Sequence, residues 1–308
     1  METWTVKKIL DWGIGFFDNK DIPQARLSAE LLLASVLGLT RMELYLNHSR
    51  VLKPDELAAY KDHILKRLEH VPIQYVLSQA HFRNISLYVD ENVLIPRPET
   101  ELLVEKALAE AKGILEAKGS INILEIGTGS GAIAISLYME LIGKLPDRKK
   151  NIRLTASDIS GKAMEVARKN AEEILPGGDA GTIDFIECDI LPDEDSSWFF
   201  DNKGKVDLIV SNPPYISRSG FEDLPKEIKE HEPSQALLAG ETGLEAYEKI
   251  FSRIKDVLAP CSCIILETDP ITGDELVKLA KEKINPKSVL LEKDYNMKER
   301  ILVAHLSG

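Results

Sequence analysis

Ile121-Asn122-Ile123-Leu124-Glu125-Ile126-Gly127-Thr128-Gly129-Ser130-Gly131 decides the architecture of this chain. Its first six residues form a short apolar run that ends in a turn signal, the pattern of a strand buried on both faces. Three glycines at alternate positions follow, and then an apolar helical pattern. Strand, glycine-rich turn and helix in that order make the opening unit of a doubly wound sheet. The first two glycines let the chain turn and come close to a ligand. Outward from this unit the alternation repeats. Strands are predicted over 152–157, 183–187, 206–211, 262–267, 288–292 and 299–304, and helices over 129–142, 160–173, 244–258 and 273–283. This predicts an α/β fold with a largely parallel sheet covered on both faces.

Taken alone, the turn also fits a dinucleotide site, because Gly127 to Ala132 matches G-x-G-x-x-A. The residues that follow discriminate. Asp158 ends the second strand, where an acid accepts from both ribose hydroxyls. Asp189 follows the third strand, in reach of an adenine amino group. Glu125 ends the first strand, placed to orient the turn or to meet a cationic ligand. Several acids suit a sulfonium nucleoside without phosphates and would repel a pyrophosphate. Asn212-Pro213-Pro214-Tyr215 ends the fourth strand-like run. All these residues sit at carboxyl ends of strands, where open α/β sheets bind ligands.

The tetrapeptide has its own chemistry. A planar nitrogen is a poor nucleophile, since its lone pair is delocalised. A site that methylates one must hold the amino group by its hydrogens and aim the lone pair. Asn212 offers a side-chain carbonyl. Pro213 offers a backbone carbonyl with no competing donor. Pro214 stiffens the chain, and Tyr215 supplies a flat face. A proline-stiffened turn without chemistry is the plainer alternative. The position at a strand end, downstream of the glycine turn, favours the site.

The chain has 308 residues, 44% hydrophobic and 29% charged, which fits a two-domain soluble globule. No apolar run approaches a membrane span, and the start lacks the apolar core of a signal peptide. Residues 1–72 carry ten basic and ten acidic residues, so the whole −12 falls on 73–308. That balance counts against a free nucleic-acid substrate. The three cysteines, 188, 261 and 263, form no disulfide framework or zinc spacing. Cys261 and Cys263 are expected to share a strand face. The expectation is a cytoplasmic protein without a metal and without a homo-oligomer.

Residues 1–71 read as a helical bundle. Thr40 and Glu43 suit a capping box, Gly38 a helix end and Pro54 a first turn. Residues 72–96 change period, with strands expected over 74–77, 82–85 and 87–89 in a β-hairpin linker. A stiff charged segment, Leu94-Ile95-Pro96-Arg97-Pro98-Glu99-Thr100-Glu101, then leads into a helix, where Glu99 or Thr100 can cap it. Arg97 and Glu99 are candidates for one wall of a substrate site, or for a structural ion pair. His231 reads as a loop residue rather than a base. The catalytic domain is expected over 97–308.

The assembled blocks carry a resemblance. They are Gln74-Tyr75, the 94–101 segment, Glu125 to Gly131, Asp158, Asp189, Asn212 to Tyr215, Glu232-Pro233, Ala236-Leu237 and Gly243-Leu244. The chain resembles the bacterial protein-(glutamine-N5) methyltransferases that modify peptide chain release factors. The Asn-Pro-Pro-Tyr block alone is shared with adenine-N6 and guanine-N2 nucleic-acid methyltransferases, which remain the alternative. The 94–101 segment is more specific to the release-factor enzymes. The resemblance implies a Rossmann-like, seven-stranded class I methyltransferase core whose last strand is antiparallel. It implies S-adenosylmethionine as donor and S-adenosylhomocysteine as product. The acceptor would be the glutamine in the Gly-Gly-Gln loop of class I release factors, and the front helices would help hold them. Asn212, Pro213 and Tyr215 would be catalytic. Glu125, Gly127, Thr128, Gly129, Gly131, Asp158, Asp189 and Asn212 would hold the donor. Arg97, Glu99, Asn212, Pro213, Pro214 and Tyr215 would face the substrate. The chain departs from the family pattern at Ser78, Asn84, 267–270 and 295–300, all expected to lie outside the donor site and the Asn212 block.

Overall fold

A computed structural model describes residues 3–177 and 179–308. The chain divides into two compact units, one of residues 1–79 with 225–231, the other of residues 80–224 with 232–308.

In the first unit, α1 (Val6–Asp18), α2 (Ala25–Leu37), α3 (Arg41–Leu46) and α4 (Pro54–Leu68) form the expected bundle. Thr40 and Glu43 close the capping box, and Gly38 ends α2 in the left-handed conformation. The core gathers Val6, Leu10, Phe17, Leu32, Leu33, Leu44 and Ile64 around Tyr60. Each such leucine or phenylalanine contributes about 1.5–3 kcal/mol by leaving water. Tyr60 Oη donates to the Ala29 carbonyl at 3.3 Å, and Gly13 leaves room for it.

The segment expected as a strand at 74–77 is instead a short helix, α5 (Ile73–Leu77). Pro72 starts it, Ser78 ends it at φ 50°, and it packs on α2 and α4. Packing of the partly buried Ile73, Val76 and Leu77 against the helical core overrides the local β-branched signal. Ser78 therefore occupies a backbone conformation that glycine adopts freely.

The second unit opens with the hairpin β1 (Ala80–Phe82) and β2 (Ile85–Leu87), paired antiparallel. The left-handed turn residue is Arg83 (φ 49°), not Asn84. Then follow α6 (Thr100–Lys118), β3 (Ile121–Ile126), α7 (Ala132–Lys144), β4 (Ile152–Asp158), α8 (Gly161–Ile174), β5 (Ile183–Glu187), α9 (Ser197–Asn202) and β6 (Val206–Ser211). After β6 come β7 (Ile216–Ser217) and α10 (Arg218–Glu222), and α11 (Lys226–Lys229) lies in the segment belonging to the helical unit. The chain returns through β8 (Leu238–Gly240), α12 (Glu245–Arg253), β9 (Leu258–Glu267), α13 (Gly273–Ile284), β10 (Ser288–Lys293) and β11 (Glu299–His305).

Seven strands make the sheet in the order β10-β11-β9-β6-β3-β4-β5. β9, β6, β3, β4 and β5 run parallel, and β11 is antiparallel to both neighbours. β6 is buried along its whole length, as a central parallel strand should be. One face of β6 and β9 packs on Tyr247, Ile250, Phe251 and Leu276 of α12 and α13.

Cys261 and Cys263 do not share an environment. Cys261 is exposed at φ 60°, Cys263 is buried, and the pairing of β6 with β9 slips between Val206 and Leu208. The bulge breaks the period-2 alternation.

Candidate active site

The strand order reverses at β3, whose neighbours are β4 and β6. Beyond its carboxyl end the glycine turn opens on a cavity of about 370 Å³. Gly127 (φ 75°) and Gly129 (φ 54°) have no atom within 4 Å of where a side chain would begin, so bare backbone faces that space. Gly131 has a different reason: a Cβ there would meet Ile135 Cδ1 at 2.9 Å and Ala167 Cα at 3.4 Å. It permits close helix packing.

Asp158 and Asp189 both line the cavity. Asp158 accepts from the Gly129 N–H at 2.8 Å and the Ser160 N–H at 2.9 Å. Burial pushes its carboxyl up, against the pull of these backbone donors. It thus ties the turn in place while its remaining lone pairs stay available. Asp189 forms an exposed ion pair with Lys249, itself a lining residue. Next to it, Ile190 sits at φ 71°, an outlier for a β-branched residue. The Leu191 N–H closes a three-residue turn on the Asp189 carbonyl at 2.9 Å, and Ser157 Oγ donates to the Ile190 carbonyl at 2.9 Å. Strain held in this way clusters at ligand sites. Nothing in the sequence period signals it.

Glu125 stands behind the turn and does not line the cavity. It is buried, and burial pushes its carboxyl up to about 8. Thr128, also buried, donates its hydroxyl to Glu125 Oε2 at 2.8 Å, while Oε1 has no hydrogen-bond partner. Of the two roles expected for Glu125, the geometry matches orientation of the turn.

Pro213 and Pro214 form part of the cavity wall. Asn212 and Tyr215 adjoin them and are tied from behind. Asn212 Nδ2 donates to Thr100 Oγ1 at 3.1 Å, so the carbonyl end of the amide is the end turned away from Thr100. Tyr215 Oη donates to Glu267 Oε1 at 3.4 Å, and its ring packs on the core of β6, β9 and α12. Glu267 ends β9 and is buried, and its carboxyl is pushed up to about 7 by that burial. The 267–270 segment therefore lies against the Asn212 block, contrary to the expectation that it lies outside. The two are distant in sequence and meet because β6 and β9 are neighbours in the sheet.

Gly243 (φ 89°) explains another quoted block. A Cβ there would fall 2.7 Å from the Tyr215 carbonyl oxygen. Asn170, fully buried on α8, ties Tyr88, the residue after β2, to the glycine turn. Its amide accepts from the Tyr88 N–H at 2.8 Å and donates to the Tyr88 carbonyl at 3.0 Å and the Ser130 carbonyl at 2.8 Å. Neither contact is visible in sequence.

Arg97 and Glu99 do not line the cavity. Arg97 Nη2 binds the buried Glu232 at 2.6 Å, and Glu232 also accepts from the Ile95 N–H at 3.3 Å. Glu99 holds the N-cap position of α6 without a side-chain cap, close enough to Glu267 to raise that carboxyl. His231 Nε2 hydrogen-bonds the Glu69 carbonyl at 2.8 Å inside the helical unit. At 295–300 the turn before β11 holds Met297 at φ 61°.

The cradle fits a nucleoside. It combines bare backbone at the turn, an acid at the end of β4, and apolar walls from Ile159, Ile190 and Ile250. Sheet order and cradle together define a class I methyltransferase, with S-adenosylmethionine as the methyl donor. Two family models match the chain, the PrmC N-terminal domain over residues 8–77 and the methyltransferase small domain over residues 99–228. The release factor glutamine methyltransferase of Chlorobaculum tepidum is 40% identical over 301 residues, covering 97% of this chain and 96% of its own length. That of Leptospira interrogans is 39% identical over 293 residues, 94% of this chain and 93% of its own. The hMettl16 catalytic domain in complex with MAT2A 3'UTR hairpin 6 matches with a TM-score of 0.50 at 13% identity, over 84% of this chain and 86% of that one. That likeness is one of fold alone. The chain belongs to the release factor glutamine methyltransferase family.

Proposed function

We propose that this enzyme methylates the side-chain amide nitrogen (N5) of the glutamine in the Gly-Gly-Gln loop of class I peptide chain release factors. The observation that carries the reading is the Asn212 amide. Thr100 holds its nitrogen end, which leaves its carbonyl end as the acceptor, and its chain neighbours Ser211 and Pro213 line the cavity.

Asn212 Oδ1 and the Pro213 carbonyl accept the two N–H bonds of the incoming glutamine amide. This fixes the nitrogen and favours its departure from amide planarity, because charge developing on N–H strengthens both bonds. Tyr215, anchored by Glu267 and the core, packs against the amide face. S-adenosylmethionine supplies an electrophilic methyl group when bound. The glutamine nitrogen, held by Asn212 and Pro213, would take that methyl group in place of the sulfur, leaving S-adenosylhomocysteine as the product, and its acidified N–H proton would pass to water. No strong base is needed before transfer. Positioning and electrostatics do the catalysis.

Gly127, Gly129, Asp158 and Asp189 are assigned to the donor. Glu125, Thr128 and Gly131 are assigned to the shape of its turn. Pro214 forms wall, and Arg97 and Glu99 act through the segment leading into α6. The helical unit is assigned to docking of the release factor. No described helix is long and apolar enough to cross a membrane. A cytoplasmic site of action fits a substrate of the translation machinery.

The test is incubation of full-length enzyme with labelled S-adenosylmethionine and a purified class I release factor, with the modified residue mapped by mass spectrometry. A methyl group on the loop glutamine is the expected result. Label on nucleic acid, with none on the release factor, would replace this reading by the adenine-N6 or guanine-N2 alternative.

A further inference from the structure

Three side chains that methyl transfer does not use meet where α6 packs on β9. Cys263 lies on β9, His305 ends β11, and Glu110 lies on α6. β9 and β11 pair antiparallel, with Cys263 directly opposite His305. Opposite side chains on one face of such a pair stand close together. One ligand atom from each residue, the Cys263 Sγ, a Glu110 carboxylate oxygen and a His305 ring nitrogen, lies within 4.8 Å of the other two. His305 Nε2 is 3.2 Å from Glu110 Oε2. The other ring nitrogen, Nδ1, is 3.4 Å from Ser288 Oγ on β10. The ring is thus held at one edge by a hydroxyl and presents Nε2 to the carboxylate. None of the three residues lines the donor cavity.

We propose that Glu110, Cys263 and His305 form a zinc site, separate from the donor cavity, that pins α6 to the β9–β11 pair. The donor set selects the ion. Thiolate, imidazole and carboxylate are the side-chain ligands of protein zinc, at about 2.3, 2.0–2.1 and 2.0–2.2 Å from the metal. Tetrahedral ligand atoms at those distances stand roughly 3.5 Å apart. A separation of up to 4.8 Å closes to that by rotation of the half-buried Glu110 side chain. The Ser288 hydroxyl supplies the outer contact that fixes the ring of a metal-binding histidine.

Charge balances as well. A doubly charged cation meets one thiolate and one carboxylate, with the imidazole neutral, so the filled site carries no net charge. Without a cation, burial and then the Glu110 charge push the Cys263 thiol up, and it stays S–H. On binding, the S–H bond breaks, the proton passes to solvent, and the sulfur electron pair forms the Zn–S bond. No electron is exchanged. Glu110 and His305 are half-buried, so the ion enters from solvent and water completes its fourth position. Linear spacing hides the site. Its ligands share no short repeat, and the register of β9 with β11 brings two of them together.

The test does not depend on which substrate is methylated. Full-length enzyme, freed of metal by a chelator and kept without added thiols, is titrated with Co²⁺ as a spectroscopic stand-in for zinc. One equivalent should bind, with a thiolate-to-cobalt charge-transfer band and the visible bands of a four-coordinate ion, and Zn²⁺ should remove both. Cys263→Ser should lose the charge-transfer band, and Cys261→Ser should keep it. His305→Gln should weaken binding at least about tenfold, the lower end of what loss of an outer contact alone costs. Saturating Zn²⁺ should raise the melting temperature of the wild type and leave that of His305→Gln unchanged. Circular dichroism shows whether each variant is folded, and His305→Gln, half-buried, decides the matter should Cys263→Ser misfold. A wild type without the charge-transfer band, a band that survives Cys263→Ser or needs Cys261, or unchanged Co²⁺ affinity in His305→Gln overturns the proposal. What remains is then an ion pair beside a buried thiol.

Discussion

Asn212 and Asp158 have separable tasks, and their alanine variants should separate them. Asn212→Ala is expected to leave donor affinity nearly unchanged and to cost about 2–4 kcal/mol at the transition state, the usual loss for one oriented polar group. Near-normal single-turnover methylation by that variant would remove the assigned role. Asp158→Ala should weaken S-adenosylmethionine binding, since it removes a charge-assisted contact and unties the Gly129 N–H. An unchanged dissociation constant in calorimetry would return Asp158 to a purely structural role. Glu125 yields a prediction about pH. Burial raises its carboxyl from the ordinary 4.5 to about 8, so the folded state holds the proton more tightly than the unfolded chain. Its contribution is complete below pH 4.5 and lost as pH rises through 8. Glu267 adds a second decline that ends near 7. Urea unfolding of the donor-free enzyme should therefore lose stability between pH 7 and 8, and Glu125→Gln should flatten that interval by about 1 kcal/mol. A wild-type slope in the variant would show that Glu125 is not the group. Asp158, Asp189 and Asn212 are legible in sequence because each ends a strand, and strand ends can be counted. Thr100 and Glu267 are not. They stand 112 residues from Asn212 and 52 from Tyr215, and no local period reports such a meeting.

At the scale of elements, the loops after β6 and before α12 hold each other in shape. Gly243 brings bare backbone against the Tyr215 carbonyl, where a methyl group would lie 2.7 Å away, and its φ of 89° disfavours any other residue. Gly243→Ala should cost about 1–3 kcal/mol in stability. It should also lower methyl transfer more than donor binding, because the displaced group is the Asn212 block. Thermal melts and donor titration on one preparation check both parts, and equal activity with a lowered melting temperature would confine Gly243 to folding. Nearly all sheet strands are readable from their apolar runs, because a parallel strand buried on both faces leaves a dense signal. The short elements are not. Residues 73–77 carry a strand-like pattern and fold as a helix, since Ile73, Val76 and Leu77 pack against the helical core. The left-handed positions at Ser78, Arg83 and Met297 are equally hidden, as none is the glycine that normally announces such a turn.

At the scale of the whole molecule, the expected boundary near residue 72 gives way to a different division. The helical unit runs to residue 79 and takes in 225–231. Arg67 is buried there, donates to Glu227 Oε2 at 2.9 Å, and also donates to the Val71 carbonyl at 3.0 Å. A fragment of residues 80–308 should keep donor binding and lose activity on intact release factor, with residues 225–231 newly sensitive to protease. Circular dichroism must first show it folded. A folded fragment as active as the full chain would make the helical unit a spectator. The bundle itself is plain in the sequence, but the borrowed segment is not, since a charged four-residue helix between two prolines reads as loop. Because 225–231 belongs to the helical unit while its flanks belong to the other, the polypeptide passes between the units three times. Cutting the backbone at Gln79–Ala80 would therefore not produce two independent proteins. The piece 1–79 keeps Arg67 and the piece 80–308 keeps its partner Glu227, so the two pieces are expected to co-elute in gel filtration after mixing, and separate elution would show that this contact does not rejoin them.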